Sequence, residues 1–145
     1  MSFNTPTSTV LYSIEETIKA YRKLCQKNIS SIAPEITVDQ ALILLIIKEN
    51  DFTQTEISDL IFKDYASMTR IIKLMVGKKY LIKTINTADK RKAKLSITKL
   101  GKELIEKLNP CIKMNRETAL FNISEEEQNQ LFTILNKITQ NCKQD

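Results

Sequence analysis

Histidine and tryptophan are absent from this 145-residue chain, and glycine and proline are scarce, at two and three residues. Without histidine, imidazole acid–base catalysis and imidazole metal ligation are excluded. So little Gly and Pro argues for long helices and against a turn-rich β sandwich. The three cysteines, Cys25, Cys111 and Cys142, are odd in number and far apart. That spacing is neither a disulfide framework nor a zinc site. No apolar run approaches the ~18 residues of a membrane span. Met1–Thr9 is polar and lacks the basic-then-apolar build of a secretory signal, so a cytoplasmic protein is expected. There is no Gly-rich phosphate loop, no Gly-x-Ser-x-Gly and no carboxylate pair in an apolar setting. The expectation is a non-enzyme with no cofactor and no metal.

What is present is segregated charge. Lys63 to Lys102 holds twelve lysines and arginines against two acids, Asp64 and Asp89, a net +10. The rest of the chain carries ten basic and fifteen acidic residues, a net −5. A cationic zone of this kind suits a polyanion. A solvated lysine-rich surface is the plainer alternative.

Apolar residues from Val10 to Ile32 recur every three or four positions, which predicts an amphipathic helix of about six turns. Pro34 ends it. Thr37 with Gln40 is a capping-box pattern opening a helix that is apolar nearly all round from Ala41 to Ile47 and ends near Asn50-Asp51. Thr53 with Glu56 repeats the pattern for a short helix. A turn at Phe62–Asp64 leads to a helix of about fifteen residues, with Met68, Ile71, Ile72, Met75 and Val76 inward and a polar, basic outer face. Two short helices joined by a tight turn form a helix-turn-helix.

The period then changes to two, predicting strands over Tyr80–Ile85 and Ala93–Ile97 around the basic tip Asn86–Lys92. This is a two-stranded wing. Thr98 caps a long helix, within which Pro110 is expected to cause a kink or split near Asn109. Ser124 with Glu127 opens a last helix with Leu131, Ile134, Leu135 and Ile138 on one face. The whole reads as one mostly α (α+β) chain: a winged helix-turn-helix over 37–98, flanked by dimerisation helices over 10–33 and 99–142. Their apolar faces have too little of their own domain to cover them, so a two-fold homodimer is expected.

Asp89-Lys90-Arg91, followed by Leu95-Ser96-Ile97-Thr98 and Gly101, resembles the wing signature of the MarR family of bacterial regulators. Asp64–Arg70 resembles the start of that family's recognition helix, and Thr37-x-x-Gln40 the opening of its second helix. The resemblance runs over about residues 10–142. It implies a DNA-binding transcriptional regulator, a repressor in its commonest form. Such a protein would bind a pseudo-palindromic site as a homodimer and be released by a small-molecule effector or a redox signal. One departure is Lys79, where the family has Gly after the recognition helix. Gly77 lies two residues earlier, which leaves the end of that helix open.

In this arrangement Tyr65, Ala66, Ser67, Thr69 and Arg70 occupy the helix start that reaches base edges in a major groove, and Lys73 meets backbone phosphate. The alternative for Arg70 is an ion pair within its own module. By resemblance Arg91 enters the minor groove. Lys90 and Lys92 add phosphate contacts, and Asp89 orients Arg91 or steadies the turn. The alternative is a solvated hairpin tip. Cys25, on the apolar face of the first helix, is the candidate redox sensor, although most such cysteines are buried small hydrophobes. The competing class is a winged helix that binds protein. It would need no arginine-tipped wing and would show an apolar rather than a basic outer helix face.

Overall fold

The computed structural model describes residues 5–89 and 92–143. These form α1 (Val10–Ser30), α2 (Val38–Ile47), β1 (Phe52–Thr53), α3 (Gln54–Leu60), α4 (Tyr65–Gly77), β2 (Leu81–Thr84), β3 (Lys94–Ile97), α5 (Lys99–Ala119) and α6 (Glu125–Cys142). A single 3-10 turn, Pro6–Ser8, precedes α1. The chain divides into two compact units, residues 1–115 and 116–145. No helix among the described residues is long and apolar enough to cross a membrane.

Helix starts follow local chemistry. Thr37, Thr53 and Ser124 each accept from the backbone N–H three residues on, while Gln40, Glu56 and Glu127 reach back to the cap's own N–H. Each reciprocal pair satisfies donors that a helix start would otherwise leave bare. In α2 the all-round apolar run is buried, as its pattern requires, through Ala41, Ile43, Leu44 and Ile47. That helix stops at Ile47, earlier than the Asn50-Asp51 expected from sequence. Met68, Ile72 and Met75 of α4, Ile57 of α3, and Ile105 and Leu108 of α5 close the same core.

The sheet has three strands rather than two, in the order β1-β3-β2, all antiparallel. Phe52 lies opposite Leu95, and Leu81 opposite Ile97. The two-residue β1 ties the start of α3 to the base of the wing, and Gln54 N–H extends the link to the Ala93 carbonyl (3.1 Å).

Of the two outcomes expected at Pro110, a kink or a split, the split does not occur: helix α5 runs unbroken from Lys99 to Ala119. Pro110 and Glu106, whose carbonyl loses its donor, are both exposed, so water can satisfy what the proline removes. Helix α4 ends at Gly77, but glycine is not what ends it. Lys79 takes the left-handed conformation (φ 66°), Tyr80 N–H donates to the Met75 carbonyl and Lys79 N–H to that of Val76, both at 3.0 Å. This is a Schellman closure with lysine where glycine costs least. Replacing Lys79 with Gly should therefore raise stability by about 1 kcal/mol, read as a higher denaturant midpoint at unchanged slope. A lower midpoint would contradict this account of the cap.

In the second unit, α6 has glutamates at all three of its first positions, which suit the positive end of the helix dipole. None of its eighteen residues is buried. Leu131, Phe132 and Ile134 are 52%, 74% and 54% exposed.

Candidate nucleic-acid interface

Helix α4 begins at Asp64, whose carboxylate accepts from Ser67 N–H (2.8 Å) and from the Ser67 hydroxyl (2.9 Å). These hydrogen bonds hold the Asp64 carboxyl below its usual range. Arg70 Nη2 in turn donates to Ser67 Oγ (3.3 Å). The guanidinium is thus steered by a hydroxyl rather than locked in a short ion pair, and the side chain is exposed.

Burial of Met68, Ile72 and Met75 fixes which face of α4 is free. Tyr65, Ala66, Thr69, Arg70 and Lys73 lie on that exposed side, and Ser67 is half-buried. The helix therefore brings together the six recognition-helix residues singled out from sequence. Two of them also have structural duties. Ser67 completes the cap, and the Thr69 hydroxyl donates to the Tyr65 carbonyl (2.9 Å) while accepting from Gln54 Nε2 (2.8 Å).

Gln54 was not anticipated. Fully buried at the start of α3, it links β1–α3 to the middle of α4, and its Oε1 has no partner among the described residues. Its signal in the sequence was slight, a polar residue directly after a helix cap.

The wing tip is shaped by Asn86, whose Oδ1 accepts from Ala88 N–H (2.9 Å) and Asp89 N–H (3.2 Å). Asp89 steadies the turn through its carbonyl, which accepts from Lys92 N–H (3.0 Å). Lys92 is exposed. Lys90 and Arg91 lie outside the described residues.

Behind the wing, Thr98 joins three elements. Its Oγ1 caps α5 by accepting from Gly101 N–H (3.0 Å), and lies 2.7 Å and 3.1 Å from the Lys79 and Tyr80 carbonyls to which it donates. The Ile97-Thr98-x-x-Gly101 motif is thus a joint between the end of α4, the wing and α5.

Cys25 is buried in the core shared by α1 and α5, as is Cys111. Asn28 Nδ2 donates to Asn115 Oδ1 (2.7 Å), and Asn115 Nδ2 points to Cys111 Sγ (3.7 Å). Burial pushes the Cys111 thiol up, so it stays protonated. This is the setting of a packing cysteine rather than a reactive one.

Residues 35–92, which span the helix-turn-helix and reach the wing tip, match the model of the MarR family. Over these residues, 35–92, the chain is similar to the MarR family. Solved structures extend the likeness over the whole chain. MarR from E. coli, as a point mutant complexed with operator DNA, has a TM-score of 0.80 at 19% identity, covering 95% of this chain and 99% of that one. MepR of S. aureus in its DNA complex gives 0.79 at 18%, covering 92% and 98%. BpsR of Bordetella bronchiseptica, whose DNA binding is regulated by 6-hydroxynicotinic acid, gives 0.81 at 16%, covering 99% and 100%. At these identities the likeness establishes the fold. The flanking helices follow the fold of those structures too.

Four carboxyls are held below their usual range. In Asp39, burial raises the pKa, but hydrogen bonds and charges from Arg22 and Lys63 outweigh it. Glu56, Asp64 and Glu127 are lowered chiefly by backbone hydrogen bonds at helix caps. A depressed folded pKa adds stability that is present at neutral pH and lost as pH falls through the folded value. The melting temperature should therefore hold near neutrality and drop below the usual carboxylate range of about 4. A thermal melt series in acid checks this, and a melting temperature that rose on acidification would contradict it.

Proposed function

We propose that this protein is a sequence-specific DNA-binding regulator, a repressor, that holds a pseudo-palindromic site as a homodimer. The observation that carries the reading is the exposed face of α4. It is polar and basic through Tyr65, Ala66, Thr69, Arg70 and Lys73, beside a wing whose described tip bears Lys92, while the opposite face is sealed in the core. In this reading Arg70 and Thr69 address base edges, Lys73 and Lys92 meet phosphates, and Arg91 with Lys90 probes the minor groove, oriented by the turn at Asp89. The DNA complexes of the structurally similar MarR and MepR support it.

Dimerisation rests on α6. Helices in proteins draw most of their stability from packing an amphipathic face, and the apolar stripe of α6 needs a covering surface. Val10, Leu11 and Ile18 of α1 are likewise exposed. The releasing signal is a small molecule rather than oxidation, a choice favoured by the burial of Cys25 and Cys111 and by the regulation of BpsR. The protein-binding alternative draws on exposed Phe62 and Leu74 near the same surface.

The experiment is selection of a duplex from a random pool, followed by anisotropy titration of two variants. Arg70→Ala should cost about 1–3 kcal/mol on the selected duplex and relax preference at one position in each half-site. Lys73→Ala should weaken all duplexes alike and reduce the salt slope by roughly one unit. Unchanged affinity in both would remove α4 as the reading element.

A further inference from the structure

Charged side chains from three segments meet at Asp39. Arg22 of α1 places Nη2 2.6 Å from Asp39 Oδ1, and Lys63, in the turn before α4, places Nζ 3.1 Å from Asp39 Oδ2. Each carboxylate oxygen has its own cation, and the Asp39 side chain is largely shielded from solvent, at 16% exposure. Screening by salt is weaker there than for an open surface pair. Lys63 immediately precedes Asp64, the cap of α4. A second tie lies at the other end of that helix. Lys78 Nζ donates to the Glu35 carbonyl (2.9 Å), and the Tyr80 hydroxyl donates to Glu35 Oε1 (3.3 Å). Glu35 lies in the connection that leaves α1, and Asp39 is in the first turn of α2.

The apolar floor under α4 is non-directional. It fixes how deeply the helix sits more firmly than how it is turned. Directional polar ties at each end are what set its angle. Sequence counting placed Lys63 in the basic block, but its ammonium is engaged by Asp39.

We infer that Asp39 is a positioning residue for DNA reading: through Lys63 and Arg22 it locks the start of the recognition helix to α1, with Glu35 holding the other end. The inference rests on the DNA-binding reading above. It has a consequence opposite in sign to simple electrostatics. Asp39→Asn removes a negative charge from a DNA-binding protein, so a pure field effect would tighten binding to any duplex. If Asp39 positions α4, the selected duplex is bound about tenfold more weakly, while random duplex is bound as well as before or better.

Lys63→Met breaks the tie from the other side and serves if Asp39→Asn lowers the melting temperature below the assay range. It should cost the same discrimination and leave the salt slope unchanged. A phosphate-contacting lysine would lower that slope by roughly one unit. The inference is overturned if Asp39→Asn tightens both duplexes equally, or if Lys63→Met lowers the slope with discrimination intact. A wild-type protein that binds no duplex would overturn the DNA-binding reading and this inference together. That outcome is distinct from a wild type that discriminates and an Asp39→Asn variant that does so equally well.

Discussion

If the protein binds as the homodimer proposed above, replacing Leu131 with Glu should leave a monomer and weaken binding to the selected duplex by about a hundredfold or more. Leu131, with Ile134, Leu135 and Ile138, lies on the apolar stripe of a helix that buries none of its own side chains. A charge placed in the middle of a covered apolar surface loses its hydration without a partner. A single protomer can reach one half-site, so it forgoes the second binding event that a dimer makes within the same complex. Sedimentation at micromolar protein checks the oligomeric state, and titration checks the affinity. The variant's intact winged helix-turn-helix should keep weak, salt-sensitive binding to random duplex. A protein that stays dimeric with Glu at this position would move the dimer surface away from α6.

Replacing Gly101 with Ala should cost about 1–3 kcal/mol, with roughly 2–4 °C of melting temperature lost for each kcal/mol. A Cβ at this position would stand 2.6 Å from the Tyr80 carbonyl oxygen and 2.7 Å from Ile97 Cγ1. The isoleucine can shift, but the carbonyl is held, since it accepts from Thr98 N–H and from the Thr98 hydroxyl, both at 3.1 Å. The strain falls on the joint that ends α4 and starts α5, so DNA affinity should fall along with stability. By contrast, Gly77→Ala meets nothing within 4 Å and takes no positive φ. It should be neutral or slightly stabilising, as Ala is a better helix former. Equal melting temperatures for the two alanine variants would contradict this account.

Much of the architecture was legible because its signals are local. A capping box spans four residues, and the three at Thr37, Thr53 and Ser124 all form. The change of period after Tyr80 marked the wing, and the exposed face of α4 followed from the inward Met68, Ile72 and Met75. What was not legible depends on distant partners. Strand β1 is two residues long and exists because Phe52 meets Leu95, far along the chain. Continuity through Pro110 depends on that turn facing solvent. Nothing in sequence pairs Gln54 with Thr69, or Asp39 with both Arg22 and Lys63. Basic residues announce themselves as a block, but the structure shows that Lys63 in it is already held by Asp39.

On the proposed reading, a cationic, structured surface grips duplex DNA. Its most direct test is the wild-type protein titrated against its selected duplex across a salt series. The account predicts that log affinity falls linearly with log salt, with a slope of roughly −4 to −9, the signature of about five to ten phosphate contacts. It also predicts that the selected sequence shows two related half-sites about 10 base pairs apart. Binding that is absent, or that does not respond to salt, would contradict the claim.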